Sequence, residues 1–125
     1  MTRETFTTDR IATPAGPFSP AVRAGEFVYL SGQVAQDPAT GRLIDGDAEA
    51  QTERIFANLT AVLEAAGKTL ADVVRVGVFL TDMGDYAAMN AVYGRQFEAP
   101  YPARTAVAVA ALPLGAAVEI DIVAR

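Results

Sequence analysis

The chain contains no histidine and no cysteine, so thiol nucleophiles, imidazole bases and zinc sites built from the usual Cys and His ligands are excluded. Lys68 is its one lysine and follows Gly67 at the end of a helix-like segment, a poor setting for a Schiff base. Arginine, carboxylates, hydroxyls, backbone groups and water remain for chemistry. Two of these stand out in an apolar tail. Residues 99–122 read APYPARTAVAVAALPLGAAVEIDI, with Arg104 opening one strand-like run (105–110) and Glu119 inside a second (117–124). Ala111-Leu112-Pro113-Leu114-Gly115 joins the runs with turn chemistry. Period two places Thr105, Val107 and Val109 on one face, and Val118, Ile120 and Ile122 on one face with Glu119 pointing to the other. A carboxylate in such a run is costly to bury unless paired, hydrogen-bonded or protonated. Glu119 therefore either lies on a solvated face beside Asp121 and Val123, or meets Arg104 in one pocket. Arg104 is equally readable as an ordinary strand-end charge, and the residue pattern leaves both readings open.

The elements that would position this pair can be read in order. Residues 4–8 alternate weakly, as a short edge strand would. Residues 12–20 (ATPAGPFSP) hold three prolines and a glycine and form a loop in which Phe18 is either a core plug or a pocket wall. Residues 21–23 and 27–31 flank Ala24-Gly25-Glu26 as a hairpin, and Gly32 follows as a bulge or turn that other residues would resist. Asp47 caps a helix running to about Ala66, with an apolar stripe of Ile55, Phe56, Leu59, Val62, Leu63 and Ala66. Asn58-Leu59-Thr60 matches a glycosylation sequon but lies on that helix and is discarded. Val73–Leu80 is nearly all apolar and reads as a central strand covered on both faces. Asp82 or Asp85 caps a second helix with Tyr86, Met89, Val92, Tyr93 and Phe97 at helical spacing, all read as core.

The expected order is β-β-β-α-β-α-β-β in a single domain of 125 residues. Two helices with one stripe each cover one face of a mixed six-stranded sheet in an α+β architecture. The other face carries small apolar residues and predicts a homo-oligomer with sites at subunit junctions. The formal net charge of −5 and the scattered arginines argue against nucleic acid, no apolar run reaches membrane-spanning length, and the polar N-terminus MTRETFTTDR predicts a cytoplasmic protein.

Several segments, in order and over nearly the whole chain, resemble the Rid (reactive intermediate deaminase, YjgF/RidA-like) family. They are Gly16-Pro17-Phe18-Ser19-Pro20-Ala21, Ser31-Gly32-Gln33, Ala57-Asn58-Leu59 with Leu63-Glu64-Ala65-Ala66-Gly67, Val78-Phe79-Leu80-Thr81-Asp82 and Met89-Asn90. The tail adds Pro102-Ala103-Arg104, Val107, Ala110, Leu112-Pro113 and Val118-Glu119-Ile120. The resemblance implies a chorismate-mutase-like fold assembled as a homotrimer with three inter-subunit clefts. It implies cofactor-free, metal-free hydrolysis of a small-molecule 2-imino or 2-enamino acid to a 2-keto acid and ammonia. Arg104 would bind the substrate carboxylate, and Glu119 would orient a water or move its proton. Phe18, Gly32, Asn90, Thr105 and Ala106 would line the substrate site. Phe18 stands where many members carry Tyr, Thr105 where Ser, Ala, Cys or Val is usual, and Ala106 where Cys is common. These departures leave room for a pathway-specific relative acting on an aminoacrylate-like or aromatic-degradation intermediate. A non-catalytic carboxylate-binding or chaperone-like trimer is the reading from another class. A ribonuclease or translation inhibitor fits poorly with the acidic charge and missing histidine.

Overall fold

The computed structural model describes residues 2–125. Six strands form one sheet: β1 (Glu4–Phe6), β2 (Ala21–Ala24), β3 (Phe27–Gln33), β4 (Val73–Leu80), β5 (Ala103–Ala108) and β6 (Val118–Ala124). Helix α1 (Ala48–Ala65) links β3 to β4, and α2 (Tyr86–Gln96) links β4 to β5. The expected order of elements is the observed one. Across the sheet the strands run β1-β2-β3-β6-β4-β5. Only β4 and β5 pair in parallel, as their helical crossover requires. The last strand, β6, slots antiparallel between β3 and β4 and so ties the two halves together.

Asp47 caps α1 through its side chain, which accepts from the Ala50 N–H at 3.0 Å. The apolar stripe of α1 is buried as the spacing predicts, and Met89, Val92 and Tyr93 of α2 join it. Phe97 is buried too, one residue beyond the helix. Of the two cap candidates, Asp85 occupies the N-cap position of α2 without a side-chain capping bond, and Asp82 caps instead the short 3₁₀ turn, Met83–Asp85, that feeds into the helix. The sheet meets the helices with Val28, Leu30, Val76, Val78, Leu80, Val118, Ile120 and Ile122. In β6 burial alternates strictly, buried at Val118, Ile120, Ile122 and Ala124 and partial between them.

Five strands shift at their ends. The weak first strand stops at Phe6, β2 runs on to Ala24 and β3 to Gln33, β5 spans Ala103–Ala108 in place of 105–110, and β6 begins at Val118. One reading is corrected: β4 is central in the pairing order but is covered on one face only within the protomer. Val74 and Arg75 are exposed, because no element among the described residues lies over that side. The open face carries Tyr29, Phe79, Thr105 and Val107 together with Arg75, Glu119 and Asp121. Asn58, the discarded sequon, is fully buried. Its amide donates to the Gln36 carbonyl at 3.1 Å and its oxygen accepts from Arg54, tethering the loop after β3 to α1.

Candidate active site

Arg104 enters the fold at the start of edge strand β5 and pairs in register with Val76, whose own partner on β6 is Ile122. Register partners share a face, and Val76 and Ile122 are core residues, so Arg104 points to the helix side. There α2 receives it. Its Nη1 donates to Asn90 Oδ1 at 2.6 Å and its Nη2 to the Tyr86 hydroxyl at 2.7 Å. The guanidinium carbon lies 4.7 Å from the Tyr93 ring centroid and 5.5 Å from that of Tyr86, a cation–π setting. All three clamping groups are neutral, and no carboxylate among the described residues pairs with Arg104. With Asn90, Tyr93, Gly94, Tyr101 and Pro102, it lines a cavity of about 350 Å³.

Glu119 pairs with Phe79, which in turn pairs with Val107, so it occupies the open face of the sheet. Its cavity, about 370 Å³, is shared with Phe18, Ser31, Gly32, Val34, Pro113 and Leu114, among others. A bulge between Leu30 and Gln33 shapes this end of β3. Ser31 holds the Phe18 loop against the bulge, its Oγ donating to the Ser19 carbonyl at 2.7 Å and its N–H to that of Pro20 at 3.0 Å. The bulge reading of Gly32 is right, but its backbone avoids the left-handed region. What demands glycine is the neighbour: a Cβ there would lie 2.7 Å from Glu119 Oε2. Gln51, buried on α1, accepts from the Ala117 N–H at 3.0 Å and fixes the entry to β6.

The expectation that Arg104 and Glu119 meet in one pocket fails within the protomer. They sit on opposite faces of one sheet, each in its own cavity. Asn90 lies with Arg104, and Phe18 and Gly32 lie with Glu119. Thr105 faces the open side and its Oγ1 is 3.4 Å from both Arg75 Nη atoms, while Ala106 packs against the core from the helix side. Neither lines the Arg104 or the Glu119 cavity. Tyr93 is core as its spacing predicts and Tyr86 packs against the core, but their second role, clamping Arg104, is what the sequence reading lacked. The visible signal was their placement one turn either side of Asn90, on the same helical face.

Burial raises the Glu119 carboxyl above the ordinary carboxylate range, and the like charge of Asp121 adds to it. Asp121 is raised as well, burial outweighing the Gly77 backbone, Arg75 and its own backbone. Burial also raises the Tyr93 phenol against the pull of Arg104, so it stays neutral. Its hydroxyl finds no hydrogen-bond partner among the described residues. A carboxyl raised in the native state holds its proton more tightly folded than unfolded. Its contribution to stability is present at low pH and is lost as pH rises from the ordinary carboxylate value through the raised one. The urea midpoint of the wild type, at fixed protein concentration, is therefore expected to fall relative to Glu119→Gln as pH rises above the ordinary carboxylate value of about 4. A gap between the two that does not change with pH would contradict the raised value.

A family model described as Endoribonuclease L-PSP matches residues 7–125. The chain belongs to this family, the Rid family. This Rid protein is 48% identical over 126 residues to Protein DfrA of Myxococcus xanthus, covering 99% of this chain and 96% of that one. It is 42% identical over 108 residues to the 2-iminobutanoate/2-iminopropanoate deaminase of Dermatophagoides farinae, covering 86% of this chain and 84% of the other. Among solved structures, RidA of an Antarctic Psychrobacter species matches with a TM-score of 0.94 and 46% identity, over 98% of this chain and 99% of that one. TdcF of E. coli with bound serine matches at 0.91 and 35%, over 97% of each chain. The mixed six-stranded α+β sheet of this Rid protein is thus a shared architecture. Among the described residues no helix is long and apolar enough to cross a membrane, and no cluster of His, Cys, Asp or Glu has the makings of a metal site.

Proposed function

We propose that this Rid protein is a cytoplasmic, cofactor-free deaminase that hydrolyses 2-imino acids, and 2-enamino acids through their imine tautomers, to 2-oxo acids and ammonia. The observation that carries the reading is the pair of half-sites: a clamped, acid-free guanidinium on one sheet face and a raised carboxyl on the other. They become one site when copies associate, Arg104 of one protomer meeting Glu119 of its neighbour in a homotrimer. The open sheet face, apolar at Tyr29, Phe79 and Val107, is the surface available for that association. The deaminase name of the mite relative and the serine bound to TdcF support a small amino-acid-like ligand.

Asn90 and Tyr86 use two of the N–H donors of Arg104, leaving others to grip a substrate carboxylate. That grip fixes the imine carbon relative to Glu119. Glu119 takes a proton from water as the water oxygen adds to the imine carbon, and passes it to the nitrogen, giving a carbinolamine. It then moves the hydroxyl proton to the same nitrogen as the C–N bond breaks and ammonia leaves. The reaction balances with substrate and water alone. A carboxyl raised by burial suits both transfers. An RNA-cleaving reading has less support, since the chain offers no imidazole and carries a net charge of −5.

The test generates 2-iminopropionate in situ with an amino-acid oxidase and traps it with semicarbazide. Added protein is expected to suppress semicarbazone formation as it consumes the imine. Equal trapping with and without protein, in a preparation shown to be oligomeric, would reject activity on this substrate. Saturable binding without turnover would favour the carboxylate-binding reading instead.

A further inference from the structure

We propose that Leu114 and Phe18 form a side-chain subsite that selects 2-imino acids with apolar side chains of leucine or methionine size, and that Leu114 is its specificity-determining residue. The proposal rests on the deaminase reading above. Leu114 sits in the turn Pro113–Gly115 before β6, with φ 62° and ψ 14°, the one non-glycine residue with positive φ among those described. An L-residue with a branched side chain resists that region, where glycine or asparagine fits readily. Such an outlier persists when the surroundings or the function require the side chain. Packing within the protomer does not require it, since Leu114 is 59% exposed and lies outside the core.

What Leu114 does is wall the Glu119 cavity. Phe18, itself half exposed, Val34, Ala15 and Pro113 make the lining around the carboxyl mostly apolar, with Ser31 and Gln36 as its other polar members. A volume of about 370 Å³ suits a small metabolite and no macromolecule. Phe18 offers a ring without a hydroxyl, so this wall gives apolar contact in place of a hydrogen bond. The Glu119 carboxylate, with Asp121 two residues on, disfavours an acidic substrate side chain at the same place. The occupant that matches these walls is an uncharged aliphatic or thioether chain. Glycine at 114 keeps the backbone and deletes the wall, so Leu114→Gly folds and isolates the effect.

The experiment compares imines made from alanine, leucine, methionine and glutamate, with wild type and Leu114→Gly. Oligomeric state is checked by sedimentation. Wild type is expected to favour the leucine and methionine imines over the alanine imine by on the order of tenfold in kcat/KM, with the glutamate imine slowest. Leu114→Gly is expected to bring the leucine-to-alanine ratio to about one with assembly intact. An unchanged ratio overturns the proposal. Loss of assembly in the variant overturns it as well, because it assigns Leu114 to the contact between copies. If no imine is consumed, the deaminase reading fails by itself, and calorimetry with pyruvate and 4-methyl-2-oxopentanoate decides the subsite. A preference for the larger acid that Leu114→Gly removes supports it, and equal affinities overturn it.

Discussion

Arg104→Ala is expected to lower kcat/KM for 2-iminopropionate about a thousandfold, the equivalent of roughly 4 kcal/mol of transition-state binding. The size follows from what the guanidinium does and what surrounds it. A charge-assisted, two-pronged contact to a carboxylate is among the strongest hydrogen-bonded pairs a protein makes. Here no acid among the described residues competes for it, so little of the charge is spent internally. Folding should survive, since the partners of Arg104 are neutral and sit at the rim of α2. Arg104→Lys keeps the charge but loses the planar fork and the stacking on Tyr93, and is expected to recover only a small part of the loss. Tyr86→Phe removes a single hydrogen bond to Nη2 and retains the ring. An approximately fivefold rise in KM with kcat little changed is the expected signature of a residue that positions Arg104 without touching the reacting atoms. Steady-state kinetics on the three variants, with assembly checked for each, would measure this. Full activity in Arg104→Ala would remove the guanidinium from the mechanism.

Much of this arrangement was legible before any coordinates. The alternation of Val118, Ile120 and Ile122 already set Glu119 on the face away from the core, and the stripe of α1 already said which side the helices take. What the pattern could not supply was the position of β6 between β3 and β4, a pairing of segments far apart in sequence. Without that order, the parity of Arg104 on β5 could not be compared with the parity of Glu119 on β6, and a shared pocket remained open. The register decides it through Val76–Ile122 on one side and Phe79 on the other. Tyr93 is core, as its spacing predicts, and Tyr86 packs against the core, but their contact with Arg104 is not in the pattern for a related reason. Their spacing announces a buried face, but where a hydroxyl goes depends on α2 lying beside the start of β5. Leu114 carries no sequence signal at all, because leucine is an uncommon occupant of the left-handed region and only the fold reveals it there.

Gly32→Ala is expected to separate positioning from folding more sharply than removal of the acid. A methyl group at 32 would stand 2.7 Å from Glu119 Oε2, closer than real Cβ contacts come, and 3.0 Å from Cδ and 3.2 Å from Cγ, tighter than most. Something has to give, and the softest element is the end of the Glu119 side chain, which can rotate, whereas the bulged backbone is held by Ser31 and by pairing to β6. The carboxyl therefore moves by about an ångström while the sheet stays, and a misplacement of that size costs on the order of a hundredfold in rate. Because Arg104 is untouched, the loss should fall in kcat with KM nearly constant. Urea stability should change little, and the dependence of that stability on pH should weaken as the displaced carboxyl regains solvent. Glu119→Gln provides the reference, losing the proton shuttle outright. If Gly32→Ala retains the wild-type kcat, the carboxyl tolerates displacement and is not the group that moves the proton. If it unfolds, the backbone is the softer partner and glycine is required there by the bulge itself.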